Sequence, residues 1–296
     1  MNPYLPEGYD YEPSPFTYDA LKEALQSSAI LQAPVCLCDE AHDLYVELGC
    51  CRGRIPRLEA AIGIETGRIR DIAILLLVGR PVCFCVTDIS QDGTVTLSRK
   101  AAQQQALQAL LAGKPGDIVP AVVTSLAAFG AFCDIGCGVT ALLPLSAISV
   151  SRIHHPSERL TPGQRIFAVI RSIDHSQKRI TLSHKELLGT WQENAAAFSQ
   201  GQTVTGVVRS VQDYGVFIEL TPNLSGLAEP DDTLCVGETV SVFIKSILPE
   251  KCKIKLVVLR KLGTQLTNEP AFRYVRTQGR INSWQYGGGD SERIIF

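Results

Sequence analysis

The feature that most constrains the fold of this chain is an internal repeat. The stretch 116-GDIVPAVVTSLAAFGAFCDI-135 aligns without a gap with 201-GQTVTGVVRSVQDYGVFIEL-220, at a constant offset of 85 residues. Both copies keep a glycine between two aromatic residues: Phe129, Gly130 and Phe132 in one, and Tyr214, Gly215 and Phe217 in the other. Self-similarity at a fixed period predicts that the chain is built from copies of one structural unit.

The repeat continues beyond a connection whose length differs between the two copies. The stretch 163-GQRIFAVIRSI-173 aligns with 237-GETVSVFIKSI-247 at an offset of 74 residues. The two offsets differ by eleven residues, and this difference falls in one connection, which is long in the earlier copy (145–162) and short in the later one. A length change confined to one connection is typical of a surface loop on a constant scaffold.

A third, less well preserved copy precedes these two. Its earlier part, 44-LYVELG-49, and its later part, 79-GRPVCFCVTDI-89, both resemble the middle copy. The glycine-aromatic signature is missing there, because His42 and Tyr45 stand where the two aromatic residues would be. The chain therefore contains three copies of the unit, and the first copy is degenerate.

Each copy predicts five short strands, because apolar and polar residues alternate in runs of the right length. In the middle copy the predicted strands are about 118–125, 130–135, 140–144, 165–173 and 179–184. Five strands with one long connection between the third and the fourth fit a small Greek-key barrel of the OB type. The predicted fold class is mainly β, with three tandem five-stranded OB-fold barrels and short linker helices.

Helix-forming residues fill the gaps between the barrels. Residues 17–31 and 101–112 are rich in them, and each stretch predicts a helix. The predicted domains are an N-terminal helical segment (1–32), a degenerate first barrel (33–100), a linker helix (101–114), a second barrel (115–190), a third barrel (200–262) and a C-terminal hairpin and tail (263–296).

Composition indicates a globular protein, with 45% hydrophobic and 20% charged residues. The net charge of −2 does not by itself indicate a nucleic-acid partner, but the charge is unevenly distributed. Residues 1–113 carry 9 Lys and Arg against 14 Asp and Glu, whereas residues 115–190 carry 7 against 5. The chain shows no signal peptide, and its longest apolar run (72–78) is too short for a membrane span. We therefore expect a cytoplasmic protein without a membrane partner.

Ten cysteines raise the question of disulfides or a metal site. Two C-x-C pairs occur, at Cys36 with Cys38 and at Cys83 with Cys85, but no C-x2-C pair is present. A structural zinc site usually needs two such C-x2-C pairs, or histidines at set spacing. The sequence therefore predicts buried free thiols, with a metal site as the less favoured alternative.

The motif of the middle copy identifies a family. The pattern G-x-x-V-x-x-x-V-x-S-x-x-x-[FY]-G-[AV]-F, followed by G-x-x-[IV] and [RK]-I-x-L, resembles the S1 RNA-binding domain. The resemblance covers about residues 33–262 and is weakest in the first copy. It implies an OB barrel that binds single-stranded RNA and has no catalytic chemistry or cofactor of its own. No nucleophile motif in the chain indicates an enzyme.

The resemblance also implies which residues contact RNA. In the second barrel, Phe129 and Phe132 match the aromatic pair of the family, and Asp174 and Arg179 match its polar pair. In the third barrel, Tyr214 and Phe217 match the aromatics and Lys253 matches the basic position. The sequence departs from the family at Pro144 and Glu229, where a histidine is common, and at Leu248, where the aspartate would stand. The first barrel has Pro56, Ser90 and Thr94 at the polar positions and is expected to lack the basic residue.

The internal alignment adds one more basic position. Arg171 and Lys245 occupy equivalent outward sites on the fourth strand, where the first copy has Thr87. Exposed aromatic rings bind unpaired bases by stacking, at about 1–3 kcal/mol per base, and basic side chains neutralise phosphates. The second and third barrels are therefore predicted to bind RNA, and the first is predicted to be a packing or protein-docking domain.

Phe129 and Phe132 are three residues apart, which is awkward for a straight strand because alternate residues share a face. We expect Gly130 to act as a hinge that leaves Phe129 in a loop while Phe132 projects from the following strand. The competing interpretation is that Phe132 and Phe217 are core residues. Arg179 and Lys253 could likewise be ordinary solvated charges.

The C-terminal segment 272–286 alternates enough to predict a hairpin that turns near Gln278 and Gly279, with Trp284 and Tyr286 on one face. We expect it to dock on the third barrel, and the alternative is that it extends the RNA surface. Residues 287–296 are expected to form a flexible tether.

The predicted function is that of a non-catalytic protein that binds single-stranded RNA, with mRNA as the expected ligand. Its expected setting is translation, with the small ribosomal subunit as a possible partner. The alternative function is a protein-interaction scaffold whose barrels have little RNA affinity, which the acidic N-terminal third favours. The sequence does not indicate an oligomeric state.

Overall fold

The computed structural model describes residues 4–91, 93–263, 272–288 and 292–296. These residues form three closed five-stranded barrels in succession and one short two-stranded sheet. In each barrel the spatial order of strands is 1-2-3-5-4, and the fourth strand closes the barrel against the first. Strands three and five pair in parallel. This arrangement confirms the predicted fold class of three tandem OB-type barrels.

The first barrel uses both faces of its fourth strand. Val82, Phe84 and Val86 face its own core, whereas Cys83 and Cys85 face the opposite way and join the core cluster of the second barrel. This alternation follows from the two-residue period of a strand. The strands of the first barrel are β1 (Ile30–Cys38), β2 (Leu44–Glu47), β3 (Arg52–Ile55), β4 (Pro81–Ile89) and β5 (Val95–Ser98), and helix α2 (Asp71–Leu75) lies between β3 and β4.

Helix α1 (Tyr18–Ser27) packs against the first barrel. The side chain of Thr17 caps its first turn, and the helix ends at Ser28 in the left-handed conformation. The predicted helix over 17–31 is therefore too long. The reason is that Ile30 already pairs with β4 as the first residue of β1.

Helix α3 (Arg99–Leu111) is the predicted linker helix, and it is packed between the first two barrels. Ala102, Ala106 and Leu110 are spaced four residues apart, so they lie on one face, and all three are buried. They belong to the same core cluster as the second barrel. No helix among the described residues is long and apolar enough to cross a membrane.

A buried ionic network joins the N-terminal segment to the second barrel. The guanidinium of Arg99 donates to both carboxylate oxygens of Glu7, at 2.7 Å each, and to the carbonyl oxygen of Ala60 at 3.0 Å. The backbone N–H of Glu7 in turn donates to the carboxylate of Asp134 at 2.7 Å. The first and second barrels therefore share both apolar and charged buried contacts.

The strands of the second barrel lie within two residues of those predicted. They are β6 (Ile118–Ala127), β7 (Gly130–Asp134), β8 (Thr140–Pro144), β9 (Arg165–Asp174) and β10 (Arg179–Ser183). Val119, Ala121 and Val123 of β6 are buried, as the alternation predicts. The long connection 145–162 contains two single-turn 3-10 helices and separates β8 from β9.

The third barrel follows the short helix α4 (Trp191–Ala195), whose Trp191 packs into the barrel core. Its strands are β11 (Thr203–Gln212), β12 (Gly215–Thr221), β13 (Leu224–Ala228), β14 (Thr239–Leu248) and β15 (Lys253–Gly263).

The connection 145–162 is a docking element and not a free surface loop. The backbone N–H of Val150 donates to the side-chain oxygen of Asn223 at 3.0 Å. The hydroxyl groups of Ser151 and Ser225 are hydrogen-bonded at 2.8 Å. Asn223 and Ser225 belong to the β12–β13 turn and β13 of the third barrel, so the extra eleven residues of the second barrel build the junction with the third.

The C-terminal segment differs from the prediction in two respects. Strand β16 (Ser283–Gln285) pairs with β17 (Arg293–Ile295), so the expected hairpin at Gln278 and Gly279 does not form, and the expected tether contributes a strand. Backbone hydrogen bonds from Ile118 to Gly279 and from Ile281 to Gly116 attach the segment to the second barrel. Its docking was expected on the third barrel, which it reaches mainly through Tyr286.

The two aromatic rings of the C-terminal segment, Trp284 and Tyr286, are packed against the barrels. Trp284 is buried, and Tyr286 is partly buried with its hydroxyl donating to the carbonyl oxygen of Asn223 at 2.6 Å. These two rings therefore serve mainly to hold the segment against the barrels, and they do not form an exposed stacking surface.

All ten cysteines are free in the structure. The expectation of buried thiols is right for Cys83, Cys85, Cys133 and Cys137, and burial raises the pKa of Cys85 to about 11 and that of Cys133 to about 12. It is wrong for Cys36, Cys50 and Cys235, which are exposed.

Candidate nucleic-acid interface

The two aromatic residues of the second barrel lie at one hairpin. Ala127 pairs with Gly130, so the loop between β6 and β7 has two residues and Phe129 is the second of them. Phe129 is 60% exposed, and Phe132 lies half-buried on the outer face of β7. Their ring centroids are 5.9 Å apart at an interplanar angle of 88°, an edge-to-face pair. Phe132 is therefore not a core residue.

Gly130 is required by close packing. A Cβ atom at this position would lie 2.4 Å from the carbonyl oxygen of Leu143 on β8, and one at Gly215 would lie 2.5 Å from the carbonyl oxygen of Ala228 on β13. Both contacts are with backbone, which cannot move without breaking strand pairing. The glycine thus allows the third strand of each barrel to approach. The three-residue aromatic spacing arises as expected, because Phe129 lies in the loop and Phe132 projects from the following strand.

The third barrel repeats the same geometry. Tyr214 is 67% exposed in the β11–β12 loop, and Phe217 is half-buried on β12. The ring centroids are 6.0 Å apart at 85°. We call Phe129 with Phe132, and Tyr214 with Phe217, the two aromatic pairs.

A row of outward-facing residues leads from each aromatic pair to a basic side chain. In the second barrel Phe132 pairs with Leu142, and Leu142 pairs with Thr181 across β8 and β10. Two strand spacings make this row about 10 Å wide. Arg179 is exposed on the same face of β10, two residues before Thr181. The predicted basic residue and the predicted aromatic pair therefore share one face.

The equivalent row of the third barrel contains a residue that sequence reasoning missed. Phe217 pairs with Leu227, and Leu227 pairs with Lys255. Lys255 is exposed, as is the predicted Lys253 two residues earlier. The signal was present in the alternation of 253-KIKL-256, which places both lysines on the outer face.

Arg171 and Lys245 lie at equivalent β-bulges in the fourth strand of their barrels. In β9, Ile170 and Ser172 face consecutive residues of β10, so Arg171 is the extra residue of a bulge. In β14, Ile244 and Ser246 leave Lys245 in the same position opposite β15. Both side chains are exposed. A bulge re-aims its side chain, which explains why these residues point outward.

Asp174 stabilises the β9–β10 turn by accepting hydrogen bonds from residues of that turn. One of its carboxylate oxygens accepts hydrogen bonds from the N–H and hydroxyl of Ser176, at 2.9 and 2.6 Å, and from the N–H of Gln177 at 3.0 Å. The Ser176 hydroxyl in particular lowers the pKa of Asp174. The carboxylate shapes the turn that precedes Arg179, which pairs with Asp174 across the hairpin.

The first barrel has a different surface at the equivalent row. Tyr45 pairs with Arg54 on the third strand, at the position that Leu142 has in the second barrel. The guanidinium of Arg54 donates twice to one carboxylate oxygen of Asp43, at 2.8 and 2.5 Å, and this raises the pKa of Arg54. The hydroxyl of Tyr45 donates to Asp39 at 3.2 Å. In the first barrel, Tyr45 and Arg54, which lie on the face equivalent to the aromatic pairs, are therefore both hydrogen-bonded to carboxylates.

Within the ranges that the structure describes, no three His, Cys, Asp or Glu side chains are grouped so that they could hold a metal ion.

Comparison with known proteins agrees with the geometry of the second barrel. Residues 114–185 match the family model of the S1 RNA binding domain. The small ribosomal subunit protein bS1 of Staphylococcus aureus (strain COL) is 32% identical over 270 residues, which cover 84% of this chain and 66% of that protein. The bS1 protein of Leuconostoc lactis is 35% identical over 182 residues, covering 56% of this chain and 42% of that protein.

Two solved structures overlap with parts of the chain. GSP13 from Bacillus subtilis covers 30% of this chain at 21% identity, with a TM-score of 0.25. A multidomain protein with nucleic acid binding domains from Streptococcus pneumoniae covers 79% of this chain at 12% identity, with a TM-score of 0.27. At these scores they carry no conclusion about function.

The chain thus spans 66% of the length of a relative that is 32% identical to it. Its middle barrel matches the family model, and the two flanking barrels have the same strand order. The middle barrel, residues 114–185, therefore belongs to the S1 RNA-binding domain family.

Proposed function

We propose that the second and third barrels bind unpaired RNA on the faces that carry the two aromatic pairs. The observation that carries this proposal is the repeated geometry: in two barrels an exposed ring lies 5.9 or 6.0 Å from a half-buried ring, at nearly a right angle. In each barrel a row of outward residues leads from these rings to Arg179 or to Lys253 and Lys255. Rings stack on bases while cations bind the phosphates of the same strand.

The relatives support a setting in translation. Those compared above are small ribosomal subunit proteins by name, and they are longer than this chain. We propose that this chain associates with the small subunit in the cytoplasm, binds mRNA there and carries out no catalysis itself. Co-sedimentation with small subunits, with and without mRNA, tests this setting.

RNA binding is tested with the full chain and unstructured oligouridine RNA, by fluorescence anisotropy across a salt series. The double variant Phe132→Ala with Phe217→Ala removes one ring from each pair and is expected to weaken binding more than tenfold, because each stacked base is worth about 1–3 kcal/mol. Binding of the native chain should weaken as salt rises.

Tyr45→Ala is the matched control, since Tyr45 is the equivalent ring of the first barrel. It is expected to leave RNA affinity unchanged. Native-like affinity of the double variant, with its fold intact by circular dichroism, would contradict stacking and favour the scaffold function.

A second function, protein docking by the first barrel, is favoured by an exposed apolar patch. Ile72, Leu75, Leu76 and Val78 in and after helix α2 are 59, 42, 61 and 42% exposed. Clustered apolar exposure of this kind marks interaction sites. The double variant Ile72→Ser with Leu76→Ser is expected to reduce small-subunit association and to leave oligouridine affinity unchanged. Unchanged association would remove this second function.

A further inference from the structure

Two surface grooves meet at the junction between the second and third barrels. The first groove, of about 540 Å³, has Phe129 on its wall. The second, of about 420 Å³, has Tyr214 and Phe217 on its wall. Both are also lined by the same three residues, Val150, Ser151 and Arg152. Each aromatic pair therefore contributes at least one ring to a groove, and one short segment borders both grooves.

This shared segment is held firmly in place. The N–H of Val150 donates to the Asn223 side chain at 3.0 Å, and the N–H of Ser151 donates to the carbonyl oxygen of Pro222 at 3.0 Å. The Ser151 hydroxyl contacts the hydroxyl of Ser225 at 2.8 Å. Three hydrogen bonds therefore attach this segment of the second barrel to the third barrel.

Arg152 differs from the other basic residues that line the two grooves, because those residues form ion pairs. The ammonium group of Lys185 in the first groove is paired with Glu292 at 2.5 Å. The guanidinium of Arg209 in the second groove is paired with Glu158 and Glu219. Arg152 is exposed, and within the described part of the chain no carboxylate forms an ion pair with it. It is therefore a cation available to an outside anion at the point where the grooves meet.

We infer that residues 149–153 form a bridge that carries one RNA strand from the aromatic pair of the second barrel to that of the third, with Arg152 binding a backbone phosphate at the crossing. The inference rests on the proposed RNA-binding function. A strand held by both pairs gains affinity because the second contact is intramolecular, and a rigid junction makes that gain larger. An unpaired guanidinium binds phosphate with charge-assisted hydrogen bonds.

The bridge also gives a reason for the length difference within the repeat. The connection is long in the second barrel, where it contacts the third barrel, and it is short in the third. The extra residues supply both the hydrogen bonds to the third barrel and the exposed Arg152.

The test compares oligouridine RNAs of about 6 and about 18 nucleotides, because a single OB barrel covers between about 4 and 16 nucleotides. For the longer RNA, Arg152→Ala is expected to lower affinity about tenfold, as the loss of one charged hydrogen-bond contact implies. The slope of log affinity against log salt should shrink by about 0.7, which corresponds to one phosphate on a single strand. The affinity advantage of the longer over the shorter RNA should fall.

Arg152→Lys is expected to restore the salt slope, because it keeps the charge. Arg68→Ala, at an exposed arginine of the first barrel, is the matched control and should change nothing. If Arg152→Ala binds the longer RNA as the native chain does, while Phe132→Ala weakens binding, the bridge is wrong and RNA binding stands. If the native chain binds neither RNA, the proposed function fails and the bridge fails with it.

Discussion

Arg159 and Glu219 form an ion pair across the junction between the second and third barrels, and their side chains are only 4 and 6% exposed. The same carboxylate accepts from Arg209 at 2.7 Å, and Arg209 also reaches Glu158 at 2.6 Å. The four charges alternate in sign and come from the long connection of one barrel and the strands of the next. The two barrels are therefore expected to unfold together.

Glu219→Gln tests this coupling. The substitution keeps the shape of the side chain but leaves Arg159 and Arg209 with one carboxylate, Glu158, near them. Removing one partner of a buried ion pair costs about 3–5 kcal/mol, because the remaining charge is uncompensated. We expect a loss of about 3 kcal/mol in chemical denaturation. Glu229→Gln, at an exposed position of the same barrel, should have almost no effect. Equal stability of the two variants would mean that the junction contributes little.

Gly130→Ala tests the close approach of β8 to β7. The added methyl group would meet two backbone atoms, at 2.4 Å and 3.0 Å, which strand pairing holds in place. Overpacking of this kind costs about 1–3 kcal/mol. The measurement is the free energy of unfolding, and Gly215→Ala should behave alike. Gly288→Ala, where nothing lies within 4 Å of the added atom, is the control. A neutral Gly130→Ala would show that the hairpin can relax.

Lys255→Ala tests the residue that sequence reasoning missed. Lys255 faces outward beside Leu227, which itself pairs with Phe217. If Lys255 binds a phosphate, its removal should shrink the salt slope of RNA binding by about 0.7. The measurement is affinity for oligouridine at several salt concentrations. Lys22→Ala on helix α1 is the control, and an unchanged slope for Lys255→Ala would exclude the contact.

His184 predicts a pH dependence of stability. Its Nδ1–H donates to the carbonyl oxygen of Ile148 at 2.9 Å, and its Nε2 accepts from the hydroxyl of Tyr274 at 3.1 Å. Complete burial lowers the pKa of His184 to about 4, against about 6.5 in an unfolded chain. The folded state therefore binds fewer protons between these values. His184 should reduce stability as the pH falls from about 6.5 to 4, by about 3 kcal/mol in total.

Asp134 titrates with the opposite sign in the same window. Burial, and then the nearby Glu7, raise the pKa of Asp134 to about 7, so its contribution to stability grows as the pH falls. The measurement is therefore a difference between the pH profiles of the native chain and of His184→Gln. The difference in free energy of unfolding between the two proteins should be constant above pH 6.5. Below pH 6.5 it should change steadily, as the native chain loses stability relative to the variant. A constant difference down to pH 4 would contradict the lowered pKa of His184.

Much of the fold could be predicted because its signals are local. The alternation of apolar residues in β6 and β9 and the glycine between two aromatics repeat at one offset, so each copy supports the interpretation of the others. The same alignment placed Arg171 and Lys245 at equivalent outward positions, and the structure adds that both are the extra residue of a bulge. The prediction of a hairpin within 272–286 was wrong because β16 pairs with β17, which lies outside that stretch.

The sequence by itself determined that there are three barrels, which two carry aromatic pairs, and that the connection 145–162 is longer than its counterpart. Only the tertiary structure decided what that connection does. The contact of Ser151 with Ser225 and the pairing of Arg159 with Glu219 join residues 74 and 60 positions apart. Such contacts depend on how the second and third barrels fit against each other, and no short-range pattern encodes that fit. For the same reason, the position of Arg152 between two grooves became visible only when both barrels were in place.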